Sequence, residues 1–553
     1  MDKSKSFAPL LLCACMFASG ACGIILEYIQ ASLASMIFGN SFEQWAVVIG
    51  LMLFWMGFGS LFQTLIQKKY LIHTFILVET ALALIGGFSP VLTYISYSYT
   101  AHYVIVLYTF VSFIGILIGL EIPVIIRINN DFSKELSTSL GSVLSADYLG
   151  SLIGSLIYVF VLLRFFPITQ AAFLTAGANF FLAFITFVYF IQKNLLKKSW
   201  LISSIMIITF LALCVGYFNN KQWTIKIEQP LYDDPIIFSK TTRYQHIVIT
   251  HYKPMDEIRL YLNGNLQFSS ADEHRYHEPM VHPIMNIVPV KSRVLILGGG
   301  DGCALREVLK YKKVKEVLLV DLDPEMTLIA SNLSVLRKIN NDAFYDARLT
   351  KIAKANVSPG IDKRLYIQTD SLQKKQTKKL ADVKVMNIDA DKFLSRVQGF
   401  WDVIIVDMPD PSTPELVKLY SRGFYEKLKH HLSLHGMIVV QATSPYLAKE
   451  SFLCIGRTLQ SAKLKTLAFH ENVPSFGDWG WYLAWHPSIK KEKILKKIDN
   501  LKIKVPTRFI TPKVFQKELI FGKDDLKTKN KQINTILYPA LLSIYNYESW
   551  LLD

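Results

Sequence analysis

Five aspartates stand where apolar runs end: Asp301 in LILGGGDG, Asp321 in VLLVDLD, Asp389 in MNIDAD, and Asp407 and Asp410 in VIIVDMPD. If these runs are parallel strands, the acids converge on one crevice at the carboxyl edge of the sheet, where open α/β sheets take their ligands. So many carboxylates repel an anion and suit a cation. Asp321 is placed to accept from ribose hydroxyls and Asp389 to meet an adenine, which leaves the others for positive charge. Gly298 and Gly300 let the backbone close against a ligand. With Asp301 inside it, the G-x-G-x-G spacing suits a sulfonium nucleoside better than a dinucleotide pyrophosphate. An acid there disfavours a donor tail that ends in a carboxylate and can pair the ammonium of a decarboxylated one. Any single aspartate has a plainer use as a helix cap or turn former. Five at successive run ends make a wholly structural explanation inadequate.

The elements that must position these acids follow from periodicity. Arg293 to Asp323 reads as strand, glycine turn, helix and strand, a nucleoside-binding βαβ unit. Further strands end near Asp389 and at Asp407, a helix covers Ser421 to His431, and Gly436 to Gln441 is another strand, giving a parallel sheet. Upstream, Tyr244–Tyr252 and Ile258–Leu262 alternate, and Asn263-Gly264 supplies a two-residue turn into Asn265–Ser269. Ser270 or Asp272 is the expected cap of the helix that follows. A Lys-rich stretch from about Thr350 to Lys384 reads as a solvated surface excursion. Ile489 to Lys504 reads as a basic amphipathic segment, able to lie on anionic lipid but better read as a surface helix for its modest apolar face.

At 553 residues, 51% hydrophobic, the chain is too long and too apolar for one soluble domain. Apolar segments of about 20 residues or more fall near 8–38, 42–66, 71–97, 103–126, 139–166, 168–191 and 200–218, so seven spans are expected. The first continues past any cleavage site, which favours an uncleaved span. Lys3, Lys5, Lys68, Lys69, Arg127, Lys134, Lys193, Lys197 and Lys198 share one side, which predicts a cytoplasmic N-terminus. Seven crossings would then put everything after residue 218 outside. Glu27, Glu79, Glu121 and Asp147 lie within or at the ends of the spans. Each should face the bundle interior, be protonated or meet a polar partner, either as part of a cation passage or as a packing network with Gly150 and Gly154. The net charge of +16 comes from Lys-rich segments around 351–384 and 488–531 without interleaved aromatics, so nucleic acid is not an expected partner. Four of six cysteines (Cys13, Cys15, Cys22, Cys214) lie in apolar runs, leaving Cys303 and Cys454, which form no disulfide framework. No cysteine or acid in sequence completes a metal set around His274, His277 and His282.

The domain expectation is therefore a polytopic helical membrane domain (1–218), a β-rich subdomain (219–285), a Rossmann-like α/β domain of the class I methyltransferase type (286–485) and a C-terminal helical extension (486–553). GGGDG with VDLD, YQHIVI, LNGNLQFSSADEHRYHEPMVHP, and DMPDPSTPELVKLYSRGFYEKLKHHLSLHG before VVQATSP resemble the polyamine aminopropyltransferases, the spermidine synthase family. The resemblance covers most of 240–485, and the preceding spans resemble those of some bacterial members.

That resemblance implies transfer of an aminopropyl group from decarboxylated S-adenosylmethionine, a co-substrate rather than a cofactor, to a diamine such as putrescine, without a metal. It implies Asp407 as base, Tyr276 as its helper and Asp410 orienting the amine. Asp301 and Gln267 would hold the aminopropyl end of the donor, with Gln245 and His277 nearby, while Asp321 and Asp389 hold the nucleoside. Phe476 would lie in the acceptor site, where many soluble members carry a tyrosine. Cys303, where the family often has glycine, and the Lys-rich insertion are further departures. The implied location is the inner membrane, multi-pass, with lipid as a partner and a homodimer left open. Because the donor is made in the cytosol, the cytoplasmic side is favoured for catalysis, against the loop charges. The alternatives are a polyamine transporter or sensor whose nucleoside domain only binds, and a methyltransferase.

Overall fold

The computed structural model describes residues 3–38, 41–129, 136–196, 199–346 and 382–550. Residues 350–381 of the Lys-rich stretch, and Lys134, Lys197 and Lys198, lie outside them. The chain divides into two compact units, residues 1–236 and 237–553.

Among the described residues the first unit has seven helices long and apolar enough to cross a membrane: Leu10–Phe38, Glu43–Leu65, Lys68–Tyr99, Tyr103–Asn129, Leu140–Phe165, Ile168–Gln192 and Trp200–Leu231. The last does not stop near residue 218. Helix continues from Ser199 to Glu228, because Asn219 to Gln222 lower hydropathy without breaking the backbone pattern. Two helices approach closely at small residues. A Cβ on Gly150 would lie 2.0 Å from the Phe17 carbonyl oxygen, and one on Gly154 2.5 Å from that of Ala21. Glu27, Glu79 and Glu121 are buried, and Ser19 donates to Glu121. Asp147 is half-buried and faces Gly20, where an added Cβ would lie 2.5 Å from its Oδ1.

In the second unit four antiparallel strands come first: β1 (Ile236–Thr241), β2 (His246–Tyr252), β3 (Glu257–Leu262) and β4 (Asn265–Ser269), in that spatial order. Asn263 (φ +52°) and Gly264 (φ +82°) make the expected tight turn. The following helix, His274–Ile287, is capped differently from the expectation. Glu273 holds the cap position without a side-chain bond, because the two candidate caps are engaged elsewhere. Ser270 Oγ accepts from the Ile258 N–H (2.8 Å), and Asp272 accepts from the N–H (2.7 Å) and Oγ (2.9 Å) of Ser475.

The main sheet has seven strands: β5 (Arg293–Gly298), β6 (Glu316–Asp321), β7 (Asp382–Asn387), β8 (Trp401–Asp407), β9 (Leu432–Gln441), β10 (Lys465–Val473) and β11 (Gly477–Trp485), in the order β10-β11-β9-β8-β5-β6-β7. β5 to β9 are parallel. The sheet is nonetheless mixed rather than wholly parallel, since β11 runs antiparallel to both β9 and β10. The cause is the short turn between β10 and β11, too short for the crossover a parallel pair requires. Alternate residues of the central strands enter two cores. Leu295, Leu297, Ile404 and Val406 face one layer, and Val294, Ile296, Val403 and Ile405 the other. Burial on both faces explains why these strands read as unbroken apolar runs.

Beyond the sheet, Lys491–Asp499 is a helix that buries Ile494 and Ile498, shorter than the segment expected. Backbone N–H groups of Arg508, Phe509 and Ile510 donate to Glu278 at 2.7, 2.7 and 2.9 Å, strapping this segment across helix His274–Ile287. The final described helix is Ala540–Trp550.

Candidate active site

The glycine turn is shaped by the Asp407 backbone carbonyl and the Asp321 carboxylate. At Gly298 (φ +83°) a Cβ would lie 1.9 Å from the Asp407 carbonyl oxygen, so only glycine lets β5 finish beside β8. At Gly300 a Cβ would lie 2.6 Å from Asp321 Oδ2, which instead accepts the Gly300 N–H at 3.0 Å. Asp321 Oδ1 accepts the Asp323 N–H at 2.8 Å. Burial, with Asp323 and Asp301 close by, pushes the Asp321 carboxyl up to about 7. Asp301 turns back to accept the Cys303 N–H at 2.7 Å.

Several expected donor residues are held locally. Gln245 Nε2 donates to Asp323 Oδ2 at 3.0 Å, and Thr242 Oγ1 donates to the same atom at 2.8 Å. Asp323 was not singled out in the sequence, yet it links the small sheet to the end of β6 and also caps helix Pro324–Asn332. Gln267 Nε2 bonds only weakly to its own strand, to the Asn265 carbonyl at 3.3 Å. Asp389 lies two residues beyond β7 rather than on it. It caps helix Ala390–Leu394 and pairs with Lys418 Nζ at 3.0 Å. Partial burial opposes its charge, but the Lys392 N–H and Lys418 outweigh this and hold its carboxyl below the usual range.

The residues expected at the acceptor gather near the ends of β8 and β9. Tyr276 Oη donates to Asp407 Oδ1 at 2.7 Å. Burial pushes Asp407 up to about 6, with the nearby His277 cation and the Tyr276 bond pulling against it. Burial and the Asp407 charge put the Tyr276 phenol well above its ordinary value. Its ring lies among those of Phe476 (6.1 Å between centroids), Trp479 (6.4 Å) and Trp481 (5.4 Å). Reversal of β11 makes this possible: Trp481 pairs with Gln441, so the β10–β11 turn and Phe476 return to the carboxyl edge of the sheet. Asp410 accepts from Gln441 Nε2 (3.2 Å) and from Tyr545 Oη (2.7 Å), and burial raises it to about 6 against these bonds.

A charge chain that the sequence did not disclose runs behind His277. Its Nδ1 lies 2.9 Å from Glu273 Oε2, and Glu273 takes two bonds from Arg306, at 3.0 and 2.8 Å. Burial opposes a charge on His277, but Glu273 outweighs it and carries the imidazole up to about 9. Burial likewise opposes the Glu273 charge, and His277 and Arg306 bring its carboxyl down to about 2. The i, i+4 spacing of Glu273 and His277 was the available signal.

The expectation that no acid or cysteine would join the histidines is corrected for His277 and His282. Glu273, His277 and Cys303 form one close group, and Glu278, His282 and Glu307 another, with their ligand atoms within 4.8 Å. Folding brings together residues distant in sequence. The carboxylates already have partners: Glu273 pairs with Arg306, Glu307 pairs with Arg306 and Lys310 and hydrogen-bonds His282, and Glu278 accepts three backbone N–H groups.

A glycine turn, an acid at the end of β6 and a carboxylate backed by a phenol at the end of β8 have the layout of a ligand site at the carboxyl edge of an α/β sheet. The Spermine/spermidine synthase domain matches residues 273–358 and 363–496. The chain is 37% identical to the polyamine aminopropyltransferase of Oceanobacillus iheyensis over 539 residues, covering 96% of this chain and 95% of that one. With the Leptospira interrogans enzyme of the same name it shares 36% over 476 residues, 86% of this chain and 87% of that one. Spermidine synthase from Thermotoga maritima superposes with a TM-score of 0.41 and 20% identity, over 53% of this chain and 87% of that one. The chain belongs to the polyamine aminopropyltransferase family and is a transferase.

Proposed function

We propose that this transferase moves the aminopropyl group of decarboxylated S-adenosylmethionine onto a diamine such as putrescine, giving spermidine and methylthioadenosine. The observation that carries this reading is the Tyr276–Asp407 pair, 2.7 Å apart at the carboxyl edge of the sheet. The sulfonium is a good leaving group, so the difficulty lies with the nucleophile. An alkylammonium with a pKa of roughly 10.4 must first lose a proton. Asp407 takes it, the freed nitrogen attacks the propyl carbon in line, and the C–S bond breaks as the C–N bond forms. Raising the Asp407 carboxyl from 3.8 to about 6 shortens that uphill proton transfer by roughly two pH units, or about a hundredfold.

Asp410 holds the amine, Phe476 and the Tyr276 ring line the acceptor's alkyl chain, and Asp301 pairs the donor's ammonium. Gln267 and His277 bound the aminopropyl end, with Gln245 acting through Asp323. Asp321 takes the ribose hydroxyls, Gly298 and Gly300 admit the nucleoside, and Asp389 holds its base. The enzyme is anchored in the cell membrane by its seven apolar helices, with the catalytic unit on the cytoplasmic side, where the donor is made. The intramembrane acids Glu27, Glu79, Glu121 and Asp147 serve helix packing. Purified protein should release methylthioadenosine from the decarboxylated donor and putrescine, and Asp407→Asn should lower that rate by about 10²–10⁴-fold. Wild-type protein inactive with every diamine would sink the reading. A reporter fused after Asp553 and active only outside the cell would reverse the orientation.

A further inference from the structure

The acceptor acid Asp410 is held by a residue that lies outside the matched synthase domain. That domain match ends at residue 496, whereas Tyr545 belongs to helix Ala540–Trp550 and donates its hydroxyl to Asp410 Oδ2 at 2.7 Å. The other oxygen, Oδ1, accepts only a shared bond. Gln441 Nε2 reaches it at 3.2 Å while also donating to the Met408 carbonyl at 2.6 Å and to Tyr420 Oη. The phenol bond is therefore the shorter and undivided one.

The helix that brings the phenol is firmly seated. Glu548 accepts the Glu450 N–H (2.6 Å), the Ser451 N–H (3.0 Å) and the Ser451 hydroxyl (2.6 Å) at the start of helix Lys449–Ser461. Leu541 is fully buried in the core on that side of the sheet. Asn534 anchors the approach to the helix by donating to the Val417 carbonyl at 2.8 Å and accepting the Arg422 N–H at 2.9 Å. None of these anchors uses the Tyr545 hydroxyl, so a hydroxyl aimed at an acid calls for a separate explanation. A carboxylate accepting from two neutral donors keeps its full charge and a fixed plane, with lone pairs left for a cation. Phe476, beside Tyr276, offers no hydroxyl of its own.

We propose that Tyr545 is a positioning residue for the acceptor, fixing the Asp410 carboxylate so that it can take the ammonium of the diamine. This rests on the aminopropyl-transfer reading above.

The test is steady-state kinetics on full-length protein with putrescine and the decarboxylated donor, for wild type, Tyr545→Phe, Asp410→Asn and the double variant. Loss of one hydrogen bond to a charged group should raise the putrescine KM of Tyr545→Phe roughly tenfold, with donor KM and thermal midpoint near wild type. In the Asp410→Asn background the same substitution should change kcat/KM for putrescine by less than about twofold, since the effect passes through Asp410. An unchanged putrescine KM in active Tyr545→Phe protein would overturn the assignment alone, as would an equal loss in both backgrounds. A wild-type protein that releases no methylthioadenosine would overturn the transfer reading, and the role of Tyr545 with it.

Discussion

Tyr276 Oη and Asp407 Oδ1 are 2.7 Å apart, while Asp407 Oδ2 lies 3.2 Å from where a Cβ on Gly299 would stand. Asp407 thus has a fixed phenol on one oxygen and bare glycine backbone near the other. The Tyr276 bond favours the charged carboxylate, so Tyr276→Phe should move Asp407 above its present value of about 6. With Asp407 as the proposed base, activity should require its ionised form and fall as pH drops through its pKa. The acid limb of kcat/KM should therefore shift to higher pH in the variant, with kcat near neutrality down about tenfold. A profile with the wild-type acid limb would show that Tyr276 does not tune the base.

Asp321 should carry a conflict between binding and stability. Its carboxyl titrates near 7 in the folded protein, against an ordinary value of 3.8. Between those values the native state holds a proton that the unfolded chain has lost, so this group lowers stability as pH rises from about 4 to about 7. Asp321→Asn should thus raise the thermal midpoint relative to wild type by roughly 2–4 °C at pH 8 and by less at pH 5. The same variant should bind methylthioadenosine about tenfold or more weakly in titration calorimetry.

Asp301 is the residue expected to separate aminopropyl from methyl transfer. Its charge repels a donor carboxylate and attracts an ammonium. Asp301→Asn should weaken decarboxylated S-adenosylmethionine and bring its affinity within about tenfold of the carboxylated form, as measured by competition binding. Equal discrimination in wild type and variant would remove Asp301 from that role.

Glu273 should matter for stability and chemistry together. Glu273→Gln leaves Arg306 without its carboxylate and His277 without the partner that lifts it to about 9. Removing one member of a buried pair typically costs about 3 kcal/mol, so the thermal midpoint should fall by several degrees. With less positive charge on His277, Asp407 should also rise, moving the acid limb of the rate profile to higher pH.

Residues whose signal is local were legible in the sequence. Unbroken apolar runs announced the central strands because both faces are buried, and Asn263-Gly264 announced its turn because only such residues accept positive φ. The Tyr276–Asp407 pair came from the resemblance, since 131 residues separate the two. Tyr545 and Asp410 are 135 apart and Glu273 and Arg306 33 apart, and neither pair sits in a pattern that either residue announces. Ser270 and Asp272 had the right type for a cap, but Ile258 and Ser475 claim their oxygens. The helix reaching Glu228 shows that hydropathy marks where apolar character ends, whereas backbone propensity marks where a helix ends.

The strap of Arg508 to Ile510 on Glu278 bears on how the protein is made. Glu278 shares a helix with Tyr276, yet the backbone N–H groups that hydrogen-bond it lie 230–232 residues further along. At about 5–20 residues per second on the ribosome, that interval is roughly 10–50 s. During it the helix bearing the phenol carries a carboxylate without those backbone partners. The helix that carries Tyr276 therefore reaches its final hydrogen-bonded environment only after residue 510 has been made.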